Sequence, residues 1–131
     1  MVVLLLSGLL FSAQSAHTAH FKPVNKAAVP APLIESRNVC PAPDTPRDCR
    51  RRFRDLGKAW AGDVNDDGVN ELLIEPGTGG TGGDDLVLFQ RKGARWEIIL
   101  RAFPYGERLD ILPISRDGYH DLHLDRLRCY K

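Results

Sequence analysis

Long apolar runs, an excess of either charge and metal-type cysteine spacings are all missing from this 131-residue chain. The main apolar run, Val2 to Phe11, is about half of what a membrane-spanning helix needs, which is roughly 20 residues. With 18 Lys and Arg against 17 Asp and Glu, no basic excess exists to hold nucleic acid or an anionic membrane by charge alone. The one tight cationic run, Arg50 to Arg52, lies beside Asp48 and Asp55 and reads as a solvated helical face. Cys40, Cys49 and Cys129 match neither zinc nor redox spacings. No G-x-S-x-G elbow is present to expose a nucleophilic serine, which leaves Ser115 and His120 without the setting of a hydrolase. The glycine-rich stretch Gly77 to Gly83 runs into Asp84 and Asp85 where a phosphate loop has Lys followed by Ser or Thr. An anion would be repelled there, so the stretch reads as a flexible hairpin loop whose glycines allow close approach of a ligand.

What is present begins with a leader. Small residues Ser12, Ala13, Ser15, Ala16 and Ala19 follow the apolar run, the layout of an export signal with a small-residue cleavage site. No Lys or Arg precedes the run, so only the α-amino group supplies the positive end. Residues 1–19 are expected to be a signal peptide, placing the mature chain in the periplasm or outside the cell. Cleavage after Ala16 or Ala19 leaves 112 to 115 residues, enough for a single core. In an oxidising compartment one cysteine pair is expected to bond. A bridge between Cys40 and Cys49 would contribute about 2.7 kcal/mol by restricting the unfolded chain, and one between Cys49 and Cys129 about 4.5 kcal/mol. Both pairings stay open at this level.

Residues 20–45 carry Pro23, Pro30, Pro32, Pro41 and Pro43 with little apolar periodicity, which predicts an extended, largely uncoupled linker. A single β-rich domain is expected over residues 46–131. Thr45 before Pro46, with Asp48 in the first turn, predicts a short helix over 46 to 56. Phe53 and Leu56 would face the core and Gly57 would end the helix. Beyond it, short apolar segments separated by Gly, Asp and Asn predict a small antiparallel meander of five to six strands, near 58–62, 70–75, 85–91, 95–101, 109–114 and 119–125. Trp96, Ile98 and Leu100 alternate with Arg95, Glu97 and Ile99 and mark one core face. The pairs Gly93-Ala94 and Asp117-Gly118 mark turns. No second copy of these elements appears, so the length excludes a solenoid or a full propeller. The fold class expected is therefore mainly β with one short N-terminal helix.

The stretch GDVNDDGVNELLI carries the chemistry. It sets Asp63, Asn65, Asp67 and Glu71 at relative positions 1, 3, 5 and 9, with Gly68 at position 6. Alternate side-chain oxygens of a tightly curled loop converge on one point, Gly permits the sharp turn, and the Val69 carbonyl completes the shell. Hard oxygen donors without His or Cys favour Ca²⁺ over a transition metal. The segment is not an EF-hand, because position 12 is Ile74 and a β-type apolar run follows. It resembles the calcium loop of FG-GAP or VCBS repeats, the blade elements of integrin-type propellers, with the pattern D-x-N-x-D-G-x-x-D. That resemblance, over about 15 residues, implies Ca²⁺ held by Asp63, Asn65, Asp67, the carbonyl of Val69 and Glu71. Glu71 departs from the pattern by one methylene. From Trp60 to Leu124 the chain is also similar, more loosely, to small exported bacterial proteins that carry one such loop. The metal-free reading of the same residues is a carboxylate-rich hairpin in which Asn65 and Asp67 support Asx turns.

His120 and His123 stand an odd number of residues apart in a strand and so point to opposite faces, which prevents them from sharing an ion. His120 is expected beside Leu122, and His123 on a polar face with Asp121 and Asp125. Together these features point to an exported, non-enzymatic domain, stabilised by Ca²⁺, that binds a protein or glycan. Two other classes remain open: a small cell-wall or glycan hydrolase using surface carboxylates, and a periplasmic inhibitor that presents the 77–84 loop to a lytic enzyme.

Overall fold

The computed structural model describes residues 19–77, 85–102 and 108–125. In chain order the elements are β1 (Ala19–His20), β2 (Lys22–Pro23), a 3-10 turn (Lys26–Ala28), α1 (Ala31–Glu35), α2 (Pro46–Leu56), β3 (Lys58–Gly62), β4 (Glu71–Glu75), β5 (Leu86–Lys92), β6 (Arg95–Ala102), β7 (Arg108–Arg116) and β8 (Tyr119–Asp125). Every strand pairing is antiparallel. The strands divide into a five-stranded sheet ordered β2-β3-β4-β5-β6 and a three-stranded sheet ordered β1-β7-β8. The fold is mainly β, as the segment pattern requires, with two sheets where a single meander was expected.

Two apolar clusters explain the division. One lies between the helices and the five-stranded sheet and includes Leu33, Ile34, Phe53, Ile74, Val87 and Phe89. The other lies between the two sheets and includes Phe21, Val64, Leu73, Leu88 and Ile111. Strands β4 and β5 therefore bury residues on both faces: Leu73, Ile74 and Val87 are wholly inaccessible and Leu88 nearly so. That is why they read as continuous apolar runs, as strands covered on both sides do. Near Leu88 and Phe89 the pairing of β5 with β6 slips by one residue, so Phe89 faces Ile98 while Leu88 faces Leu100. Such a bulge re-aims the side chains beyond it. Trp96 and Ile98 consequently pack toward the helices, and Ile99 and Leu100 toward the second sheet, so the alternation expected to put Leu100 on the same face as Trp96 does not hold.

The proline-rich stretch departs most from expectation. Residues 20–45 are no uncoupled linker: they supply β2, the 3-10 turn and α1, and bury Phe21, Val29, Leu33, Ile34, Val39 and Cys40. Their few apolar residues are nearly all used, spaced by a chain of changing geometry with no fixed period to reveal them. A disulfide between Cys40 and Cys49 ties this stretch to α2, with Cα atoms 5.7 Å apart. Cys129, the signal-like residues 1–18 and the glycine-rich loop 78–84 lie outside the described residues.

Helix α2 starts as the sequence dictates. Thr45 Oγ1 accepts from the Asp48 amide at 3.2 Å, and Pro46 occupies the first turn, where its missing N–H costs nothing. Phe53 is buried, but Leu56 is 62 % exposed. Leu56 sits in the last turn, where Gly77 presses on its backbone: a Cβ on Gly77 would lie 2.8 Å from the Leu56 carbonyl carbon. Gly57 ends the helix with an ordinary negative φ of −73°. Its lack of a side chain is used for space, since a Cβ there would collide with the Phe53 ring. Among the described residues no helix is long and apolar enough to cross a membrane.

Candidate metal centre

Gly62 and Glu71 face each other across the β3–β4 ladder, so residues 63 to 70 form one closed loop at its end. Two left-handed residues curl it, Asp66 at φ 59° and Gly68 at φ 79°. Space is not what selects Gly68, because a Cβ there would meet nothing within 4 Å; the backbone conformation is.

Each of the four expected side chains turns onto the loop. Asp63 accepts from the Gly68 amide at 2.8 Å through one oxygen and from the Asn65 amide at 3.3 Å through the other. Asn65 Oδ1 accepts from the Asp67 amide at 3.2 Å, and its Nδ2 donates to Asp67 Oδ2 at 3.1 Å. Asp67 Oδ1 accepts from the Val69 amide at 2.7 Å. Glu71 reaches back from β4 to accept from the Val64 amide at 2.8 Å. Val69 itself is 49 % exposed.

Electrostatically the loop is unbalanced. Glu71 is only 1 % exposed. Burial pushes its carboxyl above the usual carboxylate range; the Val64 amide offsets part of this, and the charges on Asp67 and Asp63 add to the rise. Among the described residues no Lys or Arg forms an ion pair with any of these three acids.

Sequence reasoning missed how the loop is tied to the second sheet. Val64, the apolar residue between polar neighbours, is 2 % exposed and plugs the core between the sheets. Its carbonyl accepts from the His120 amide at 2.7 Å, and the His120 ring Nε2 meets Asp66 Oδ2 at 2.7 Å. The Asp66 hydrogen bond raises the imidazole above its ordinary 6.5, against the opposing effect of burial. The other ring nitrogen, Nδ1, is buried without a hydrogen bond of acceptable geometry, although the nearby Leu112 carbonyl also favours the protonated ring. The only sequence signals for this contact were the apolar Val64 inside a polar loop and the odd spacing of the two histidines. His120 and Leu122 line one cavity of about 360 Å³ between the sheets, together with Val64, Leu88 and Tyr119. His123 takes the opposite face, with Nδ1 3.8 Å from Asp110, which also meets His20 Nδ1 at 2.6 Å. Asp121 pairs with Arg116 at 3.0 Å. Ser115 stands opposite His120 in the ladder, but no hydrogen bond links the two side chains.

No three His, Cys, Asp or Glu side chains among the described residues form by themselves a cluster able to hold a metal ion. An ion at this loop would therefore need Asn65 and the Val69 carbonyl beside the acids. The donor chemistry fits a hard divalent cation: carboxylate and amide oxygens only, around a backbone already curled by Gly68. No family model matches the chain, no curated protein matches it, and no solved structure matches its fold.

Proposed function

We propose that the chain is an exported, Ca²⁺-stabilised, non-enzymatic binding domain of the periplasm or cell exterior that takes a protein or glycan ligand. The observation that carries this reading is Glu71, a carboxylate only 1 % exposed that shares the loop with Asp63 and Asp67, with no Lys or Arg paired to any of the three among the described residues. Two carboxylates about 4 Å apart repel by up to about 4 kcal/mol at an effective dielectric of 20. A cation bound there would supply the missing positive charge. Asp63, Asn65, Asp67, Glu71 and the Val69 carbonyl are the groups that would hold it. The resemblance to FG-GAP and VCBS loops supports the same assignment, and the leader-like run before residue 20 supports export.

The role of the ion in this reading is structural. The loop closes the β3–β4 ladder and, through Val64 and the Asp66–His120 contact, steadies the three-stranded sheet. Calorimetric titration of Ca²⁺ into the chelator-treated mature protein tests it. Extracellular modules bind with dissociation constants of about 0.1 to 1 mM. Saturable heat in that range, abolished by Asp67→Ala, is the expected result. No saturable heat in a folded protein would refute the assignment.

A further inference from the structure

On the helix side of the molecule, away from the cation loop, α1 and the β5–β6 hairpin leave a groove of about 430 Å³. Small-molecule sites commonly measure about 300 to 1,000 Å³. Its lining includes Pro32, Ser36, Asn38, Trp96 and Ile98, and none of the described side chains that line it is charged. Trp96 is half-buried, held against the core beneath while part of the indole stays open. No hydrogen bond engages the Trp96 indole N–H among the described residues.

Two polar groups on the rim have fixed and opposite characters. Ser36 Oγ gives its proton to the Leu33 carbonyl at 2.9 Å, so it offers the groove only lone pairs. Asn38 Oδ1 faces Arg101 at 3.3 Å, while the Asn38 carbonyl accepts from the same guanidinium at 2.8 Å. Arginine only donates, so the amide oxygen is fixed there and the Asn38 NH₂ is left to donate. The β6 bulge makes this possible, because the slipped register brings Arg101 round to the helix side. One acceptor, one amide donor and an indole face are thus set over an uncharged floor.

We propose that this groove is a saccharide site for a neutral, equatorially substituted pyranose chain, recognised by Trp96, Asn38 and Ser36. The C–H face of such a sugar is flat and apolar and covers the indole, which contributes large contact area at little entropic cost. Adjacent hydroxyls both donate and accept, so one pair satisfies Ser36 and Asn38 together. A proline-rich peptide, whose prolines have no amide N–H, would satisfy the donor with a carbonyl and leave the Ser36 lone pairs without a partner, which costs affinity when the site is desolvated. No cation stands among the described lining residues of the floor to pair with the carboxylate of an acidic sugar, and the one at the rim, Arg101, is engaged by Asn38. The inference rests on the binding-domain reading and narrows its ligand to a glycan.

Neutral cellohexaose and chitohexaose, with hexagalacturonate and a proline-rich peptide for comparison, are titrated into the Ca²⁺-loaded mature protein and followed by NMR. Either neutral sugar is expected to shift the Trp96 indole and Asn38 amide signals with saturation in the millimolar range or tighter. Trp96→Ala is expected to weaken binding at least about tenfold, as for a buried aromatic anchor. Trp96→Phe, which keeps the packing beneath, retains part of the affinity and guards against a merely misfolded variant. Asn38→Ala lowers affinity about fivefold, as for one hydrogen bond. Absence of saturable shifts with both neutral sugars, shifts centred elsewhere, or a groove that responds only to the peptide each overturns the proposal. Any of these outcomes with Ca²⁺ binding intact leaves the cation-stabilised reading standing, so the two failures are distinguishable.

Discussion

At the scale of single residues, the loop is closed by one acid whose charge its surroundings oppose, Glu71, and is met from β8 by one base whose charge they favour, His120. Glu71 has a raised pKa, so the folded state holds its proton more tightly than the unfolded state, and stability falls as pH rises from the ordinary 4.5 through the folded value. The ionised carboxylate is therefore a liability unless a cation balances it. Glu71→Gln is expected to raise the melting temperature in chelator and to reduce the gain produced by Ca²⁺. Paired melting curves in the two buffers check it, and a lower melting temperature in chelator would count against the reading. His120 has the opposite consequence. Its folded pKa lies above 6.5, so its contribution is complete below 6.5 and is lost as pH rises through the folded value. An NMR titration of the His120 ring is expected to give a midpoint above 6.5 in the wild type, falling toward the ordinary value in Asp66→Asn. An unchanged midpoint would mean that Asp66 does not set it. The positions of the loop acids were legible, because alternate spacing and Gly68 dictate their convergence. The partner of Asp66 was not, because it comes from a strand more than fifty residues away.

At the scale of elements, α2 was the most legible, since its start and stop signals are local. Thr45→Ala removes the bond to the Asp48 amide and is expected to cost about 1 kcal/mol, seen as a lower urea midpoint at constant slope. The Thr45 hydroxyl also donates to the Asp48 side chain at 2.7 Å and lowers its pKa below 3.8, so this part is present above 3.8 and lost as pH falls through the folded value. The difference between variant and wild type is thus expected to shrink in acid. Six strands of the meander were legible from apolar segments and turn pairs. Asp117 and Gly118 both adopt positive φ, 52° and 83°, as a tight hairpin turn requires. The bulge in β6 was not legible, because a slip of one residue in a run such as Ile98-Ile99-Leu100 leaves the composition unchanged. Its outcome, Arg101 beside Asn38, depends on a contact 63 residues apart.

At the scale of the whole molecule, a helical layer and two sheets enclose two cores, and the N-terminal stretch contributes to both. The disulfide belongs to this level because it fastens that stretch to α2. Replacing Cys40 and Cys49 together by serine is expected to lower stability by about 2.7 kcal/mol, the effect of opening so short a loop. An unchanged denaturation midpoint would show that the bridge does not form in the protein. Composition revealed a mainly β chain but not the division into two sheets, which depends on β4 and β5 being covered on both sides. Cation binding here depends on the balance of charge at residues 63 to 71, and melting of the mature protein in Ca²⁺ and in chelator, beside Asp67→Ala, measures it most directly. Free ion at ten times its dissociation constant adds about 1.4 kcal/mol, and about 1 kcal/mol moves the midpoint of a domain this size by roughly 4 to 8 °C. A rise of several degrees in the wild type that vanishes in Asp67→Ala is the expected result. Identical midpoints in both buffers, with and without the substitution, would contradict it.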